Sequence, residues 1–280
     1  MAEPQSSTAA FRMSDTTAAT RDAATLVLLR EGDDGPEVLL LERHLRSDFA
    51  GGALVFPGGT VDAPDRALAP ERWSGREPSA WQGLLGADSP EAALGLMVAA
   101  IRESFEEANI LLARRRGQPI TDAELASASF VEARRRLSSR EERFDWREWL
   151  AAEELVLDLG ALAPWAWWVT PKGPHKRFDT RFFVASLPAD QSGRCDDVET
   201  TALRWISPEQ ALAAQRKGEA TVIFPTRRNL AALARYDSAA AIWRTADAGD
   251  SDMRRIEPEV VMVDDEPRVL HPDDNDPEAV

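Results

Sequence analysis

Two apolar runs, "ATLVLLRE" (24–31) and "EVLLLERH" (37–44), are rich in leucine and flank "GDDGP". Runs of this length broken by Gly, Asp and Pro predict a β-hairpin. "GALVFPGG" (52–59) predicts a third strand that stops at Pro57 and two glycines, residues suited to a chain leaving a sheet. From 60 to 88 the periodicity is lost among Pro64, Pro70, Pro78, Trp73 and Trp81. That stretch is longer than most structureless connections, so it is either a lid or an insertion of short helices. The period then becomes helical: in "DSPEAALGLMVAAIRESFEEAN" apolar residues fall at 94, 97, 98, 101, 105 and 108, after Ser89 as a cap and Pro90 at the first helical position.

Residues 121–159 are charged and helical in pattern and predict a helical cap. "WAWWVT" (165–170) and "RFDTRFFVASL" (177–187) predict strands around "PKGPHK", and "LRWI" (203–206) another, entering a helix at Ser207-Pro208-Glu209. "FPTRRNLAALARY" gives the last expected helix. Strands alternating with helices place the chain in the α/β class. The expected organisation is a flexible tail over 1–22, one domain over 23–240 carrying the 60–88 insertion and the 121–159 cap, and an acidic, partly disordered tail over 241–280.

Composition adds limits. Apolar residues make up 44% of the 280, with nine tryptophans, enough for a packed core rather than a disordered chain. No apolar run approaches membrane-spanning length and the N-terminus lacks the apolar stretch of a signal peptide, so the expected location is cytoplasmic, without membrane contact. The lone Cys195 excludes an internal disulfide and a multi-cysteine zinc site. A net charge of −15 argues against a broad nucleic-acid surface, and requires a metal or a local group of Arg and Lys wherever the substrate is an anion. A homodimer is compatible with all of this.

The candidate chemistry lies at the end of the long helix. With Leu94 at zero and about 100° per residue, the apolar positions fall within roughly 60° of zero, while Glu106, Glu103 and Glu107 fall near about 120°, 180° and 220°. The three carboxylates share the face opposite the core, at the i, i+3, i+4 spacing that lets side chains converge. Glu103 and Glu107 have no basic residue three or four positions away. Only Arg102 can pair, with Glu106, in the less favourable order. Like-charge neighbours cost roughly 0.2–0.5 kcal/mol, and anions near a helix C-terminus about 0.3–1 kcal/mol each. A solvated charged face is one explanation; the preferred one is a hard divalent cation, Mg²⁺ or Mn²⁺, whose shell is completed by substrate phosphates.

"FPGG" (56–59) followed by "RESFEEANI" (102–110) resembles the Nudix hydrolase box, G-x5-E-x7-R-E-U-x-E-E-x-G-U with U aliphatic. Arg102, Glu103, Glu106, Glu107 and Ile110 match. Asn109 stands for the glycine, a conservative exchange where the helix ends in the left-handed conformation. Gly59 lies far upstream of Arg102; counted back from Arg102, the first box glutamate falls at Leu94. An insertion inside the box is similar to the acyl-coenzyme A diphosphatase branch, as are "VLLLERHLRSDFAGGALVFPGG", "WVTPKGPHKRFDTRFFVASLP", "ETTALRWISPEQAL" and "FPTRRNLAAL".

The resemblance implies an α/β/α sandwich with a mixed sheet and metal-dependent hydrolysis of a small-molecule diphosphate. It assigns metal binding to Glu103, Glu106 and Glu107, and to Arg102 the orienting of those carboxylates. Glu103 and Glu199 are both candidates for the general base. Arg43, Arg46, Gly58 and Gly59 are expected to meet substrate. Arg177 and Arg181, four apart in a strand, share one face and are either a solvent-facing charge ladder or a phosphate-binding pair. Coenzyme A or acyl-coenzyme A is the first substrate expectation, favoured by Arg43, Arg46, Lys176 and Arg177 as partners of a 3′-phosphate. ADP-ribose, NADH or another nucleoside diphosphate derivative is the second, and a non-catalytic ligand-sensing domain the third. His175 is expected at a surface turn, and Trp165, Trp167 and Trp168 in packing roles.

Overall fold

The leucine-rich runs pair as β1 (Thr20–Gly32) and β2 (Gly35–Arg43), with Leu29 opposite Val38 and Gly32 opposite Gly35. The turn between them needs glycine: Gly35 takes φ 127°, which side chains rarely adopt. In this computed structural model the described residues are 18–44, 52–139, 142, 144–174, 176–195 and 200–279.

The strand expected over 52–59 is divided. β3 (Ala53–Val55) pairs with β2, whereas β4 (Gly58–Thr60) pairs with β1. Pro57 has no N–H to give to a ladder, so the chain changes partner there, and its carbonyl accepts from Leu26 N at 2.9 Å.

The chain continues through β5 (Trp73–Ser74), α1 (Pro78–Trp81), α2 (Pro90–Ala108), β6 (Ala113–Arg115) and β7 (Gln118–Pro119). Next come α3 (Asp122–Leu125), α4 (Ala128–Leu137), α5 (Trp146–Ala152), β8 (Leu155–Asp158), β9 (Ala163–Val169), β10 (Arg177–Ser186) and β11 (Thr200–Ile206). The rest comprises α6 (Pro208–Arg216), β12 (Thr221–Val222), α7 (Phe224–Leu233), α8 (Ala239–Asp247), β13 (Arg255–Ile256), β14 (Glu259–Val263), β15 (Glu266–Leu270) and β16 (Glu278–Ala279).

A nine-stranded mixed sheet in the order β12-β3-β2-β1-β10-β9-β13, with β11 also on β2 and β4 on β1, forms the middle layer. β1 and β10 run parallel, Thr20 opposite Arg177 through Leu29 opposite Ser186. Strand alternation sends Leu26, Leu28, Leu39 and Leu41 to one face, where they pack with α2. Val27, Leu29, Val38 and Leu40 go to the other, under residues of α6, α7 and α8. Both faces are covered, which is why β1 reads as a near-continuous apolar run. The α/β/α sandwich is thus observed.

Of the two readings left open for 60–88, short helical turns are observed, with Trp81 buried and stacked on Phe183 at 6.4 Å. Two sequence expectations change. The 121–159 cap contains three helices but ends in β8, which joins β5, β6 and β7 in a small sheet. Residues 155–158 alternate buried and half-buried, the period of a strand. The region after 240 is folded: α8 buries Ile242, β13 pairs with β9, and β14, β15 and β16 form a three-stranded sheet. Arg228 ties that sheet to α7 through Asp274 and Glu278, at 2.8 and 2.9 Å. The acidic residues of this segment are partly ion-pair partners, so its charge did not signal disorder.

Candidate active site

α2 starts where Ser89 Oγ accepts from Ala92 N at 3.2 Å, with Pro90 next. It ends where Asn109 turns to φ 55°, ψ 36° and gives its N–H to the Phe105 carbonyl at 3.1 Å. Arg102 to Glu107 therefore occupy the last turns. Their face is not open to solvent as the helical wheel implied. β4, at Gly58 and Gly59, and the 3₁₀ turn Ala63–Ala67, at Asp65, lie against these side chains, leaving Arg102 5%, Glu103 9% and Glu107 6% exposed. Gly95 permits this closeness, since a Cβ there would come within 2.6 Å of Arg66 Cγ.

Arg102 is the hub. Its Nε lies 3.1 Å from Asp65 Oδ1 and its Nη2 3.1 Å from Oδ2, a bidentate pair. Nη2 also donates to the Thr60 carbonyl at 2.8 Å, and Nη1 stands 2.9 Å from Glu103 Oε1 and 3.4 Å from Glu106 Oε2. Burial opposes the guanidinium charge, but Glu103 and Asp65 outweigh it and raise its pKa. Burial raises the pKa of Asp65, which is fully enclosed, against the pull of Arg102.

The sequence reading missed Asp65. Counted forward from Gly59, five residues precede Asp65, so Gly59 and Asp65 reproduce the G-x5-E half of the box with Asp for Glu. The insertion thus follows this carboxylate and separates it from Arg102, and Leu94, a buried core residue, is not its position. Counting back from Arg102 had led to the wrong place because the fixed spacing is the one that is interrupted.

Gly58 and Gly59 approach the glutamates rather than an open pocket. Gly58 N donates to Glu107 Oε2 at 2.9 Å, and a Cβ on Gly59 would fall inside the Glu103 carboxylate. Burial, and then the charge of Glu103, raise Glu107 well above the ordinary carboxylate range, against the Gly58 N–H and the Arg43 charge. Burial raises Glu103 as well, against the pull of Arg102. Among the described residues no three carboxylates, imidazoles or thiolates form an enclosed ligand group, because Glu103 and Glu106 turn toward Arg102. The donor chemistry nevertheless suits a hard divalent cation: oxygen ligands, two of them buried carboxylates that disfavour each other's charge.

Arg43 ends β2, and its Nε is buried without an acceptor among the described residues. Arg46, His175 and Glu199 lie outside the described residues. Arg177 and Arg181 are neither a charge ladder nor open to phosphate. Arg177 donates to the carbonyls of Thr170, Pro171 and Ala18 and pairs with Glu257. Arg181 donates to the Leu85 carbonyl at 2.8 Å, pairs with Asp179 and Asp22, and lies 4.2 Å over the Trp167 ring. Both guanidiniums are buried, with acceptors from this chain around them, and Lys176 is exposed beside them. Trp165 and Trp168 are buried packing residues, as expected.

A family model described as the NUDT19 Nudix domain matches residues 85–233. The chain is 32% identical over 207 residues to the acyl-coenzyme A diphosphatase NUDT19 of Homo sapiens, covering 64% of this chain and 55% of that protein. It is 30% identical over 242 residues to the protein of that name from Gallus gallus, covering 72% and 62%. The chain thus spans a little over half the length of these curated relatives. Among solved structures, a Nudix hydrolase from Alicyclobacillus acidocaldarius superposes with a TM-score of 0.69 at 30% identity, over 82% of this chain and 98% of that one. With a domain match over more than half its residues and the box residues gathered around Arg102, the chain belongs to the Nudix hydrolase family, in the NUDT19 branch.

Proposed function

We propose that the protein hydrolyses the diphosphate bond of coenzyme A or an acyl-coenzyme A, giving 3′,5′-ADP and (acyl-)phosphopantetheine, with Mg²⁺ or Mn²⁺ held by Glu103, Glu106 and Glu107. The observation that carries this reading is the buried pair Glu103 and Glu107, one helical turn apart, with Arg102 against the first and the Gly58 N–H on the second. Coenzyme A is favoured over other nucleoside diphosphate derivatives by the names of the relatives at about 30% identity.

When bound, the metal supplies charge neutralisation at the phosphates and a water of lowered pKa. Arg102 holds Glu103 and Glu106 in place, itself fixed by Asp65 and the Thr60 carbonyl. Arg43, whose charge already acts on Glu107, is the cation assigned to a phosphate oxygen. A bond forms from water to one phosphorus while the bridging P–O bond breaks. The proton of that water passes to a carboxylate, for which Glu103 and Glu199 are the candidates.

The test is incubation with Mg²⁺ or Mn²⁺ and, separately, coenzyme A, an acyl derivative, ADP-ribose and NADH, followed by product separation. Release of 3′,5′-ADP from the coenzyme A substrates is expected. Turnover of ADP-ribose alone would overturn the substrate assignment, and turnover of none the hydrolase reading.

A further inference from the structure

The carbonyls that end α2 are satisfied partly by the Nudix motif itself and partly from outside it. Asn109 N and Ile110 N serve the Phe105 and Ser104 carbonyls. The next carbonyls, of Glu106 and Glu107, accept from one side chain, Arg134 of the cap helix α4, whose Nε donates to Glu106 O at 2.8 Å and Nη2 to Glu107 O at 3.1 Å. The same Nη2 reaches the Arg194 carbonyl at 2.8 Å, and Arg194 N serves Ala108 O at 2.7 Å. α4 and α5 also grip this turn by an apolar contact. Phe130 stands edge-on to Phe105 at 6.2 Å, and Trp149 stacks on it at 5.6 Å.

We infer that Arg134 is a positioning residue for the carboxylate turn: by bridging the peptide carbonyls of Glu106 and Glu107 it fixes the pitch of the last turn of α2, and with it the spacing at which the glutamates meet a divalent cation. The fork shape matters. Two adjacent carbonyls are spanned by Nε and Nη2 of one planar group, which an ammonium cannot imitate. A cation here also opposes the negative end of the helix, where the carboxylates themselves are unfavourable. The inference rests on the metal reading above, and extends the metal-positioning apparatus to a helix that the Nudix motif does not include.

The experiment is Mn²⁺ binding to the substrate-free protein, read by electron paramagnetic resonance of free Mn²⁺ and by calorimetry, alongside circular dichroism. Wild type, Arg134→Met, Arg134→Lys and Arg135→Met are compared. Arg135 neighbours Arg134 but pairs at the surface with Glu132 and Glu142, so Arg135→Met should match wild type. Arg134→Met is expected to weaken Mn²⁺ binding roughly tenfold or more, as loss of a group that orients metal ligands does, and Arg134→Lys to recover part of it. Absence of Mn²⁺ binding by wild type would overturn the metal reading and this inference together. Wild-type affinity in folded Arg134→Met would overturn the inference alone. Should Arg134→Met not fold, wild-type affinity in Arg134→Lys overturns it instead.

Discussion

Asp65 and Arg102 form a bidentate ion pair in which the carboxylate is fully buried and the guanidinium nearly so, across the whole length of the insertion. Removing one partner of a buried pair costs about 3–5 kcal/mol, and Glu103 and Glu106 leave Arg102 part of its counter-charge, which puts this case at the low end. Asp65→Ala should therefore lose about 3 kcal/mol of unfolding free energy in urea titrations and most of its diphosphatase activity. Asp65→Glu keeps the charge and should retain more of both. Equal stability of Asp65→Ala and wild type would remove Asp65 from the site.

Gly58 and Gly59 separate fold from chemistry. A Cβ on Gly58 would meet the Ala24 carbonyl and the Thr25 backbone, whereas one on Gly59 would meet the Glu103 side chain. Gly58→Ala is expected to destabilise by about 1–3 kcal/mol, as overpacking does. Gly59→Ala is expected to displace Glu103, lowering kcat with a smaller change in melting temperature. Thermal melts and steady-state kinetics on the two variants distinguish these outcomes.

Of the four arginines proposed from sequence as phosphate ligands, the three that are described divide in the same way. Arg177 and Arg181 are enclosed by this chain's own acceptors, so Arg181→Met should cost stability, about 3 kcal/mol for a broken buried pair, and leave KM near wild type in the fraction that folds. Arg43 acts on Glu107 by its charge, and its Nε has no acceptor among the described residues, so Arg43→Met should raise KM and leave stability nearly unchanged. A raised KM for Arg181→Met with unaltered stability would reverse the assignment.

The pH dependence follows from Glu103 and Glu107. Burial raises both, and for Glu107 the Glu103 charge adds to it. Between the ordinary carboxylate value of 4.5 and the raised values of the fold, the unfolded chain has released protons that the folded chain retains. The stability of the metal-free protein therefore falls as pH rises through that window. Mn²⁺ binds the ionised pair, so the gain in melting temperature on adding Mn²⁺ should be larger at about pH 8 than at about pH 5. Differential scanning fluorimetry at the two pH values measures it, and a gain independent of pH would contradict it.

Much of this was legible in the sequence because the rules involved are local. Ser89, Pro90 and Asn109 mark both ends of α2 by side-chain chemistry and backbone conformation, and the hairpin follows from Gly35 between two apolar runs. The burial of Glu103 and Glu107 was not legible, because the helical wheel describes one helix and they are covered by β4 and the 3₁₀ turn of the insertion. Arg177 and Arg181 were placed correctly on β10, but their partners Glu257, Asp22 and Leu85 are distant in sequence. α8 and the last sheet were lost to an acidic composition that resembled a tail; Arg228 supplies part of its counter-charge from α7.

Both ends of the insertion are fastened to the same helix: Asp65 to Arg102, with Arg66 over Gly95, and at the other end Ser89, which caps it. The entropy of closing a loop grows only with the logarithm of its length, about 0.6 kcal/mol for each doubling. Distance along the chain is thus nearly free once the anchors are in place. A motif written as a fixed count of residues is a special case of one written as a set of anchors, and evolution can lengthen the first without disturbing the second.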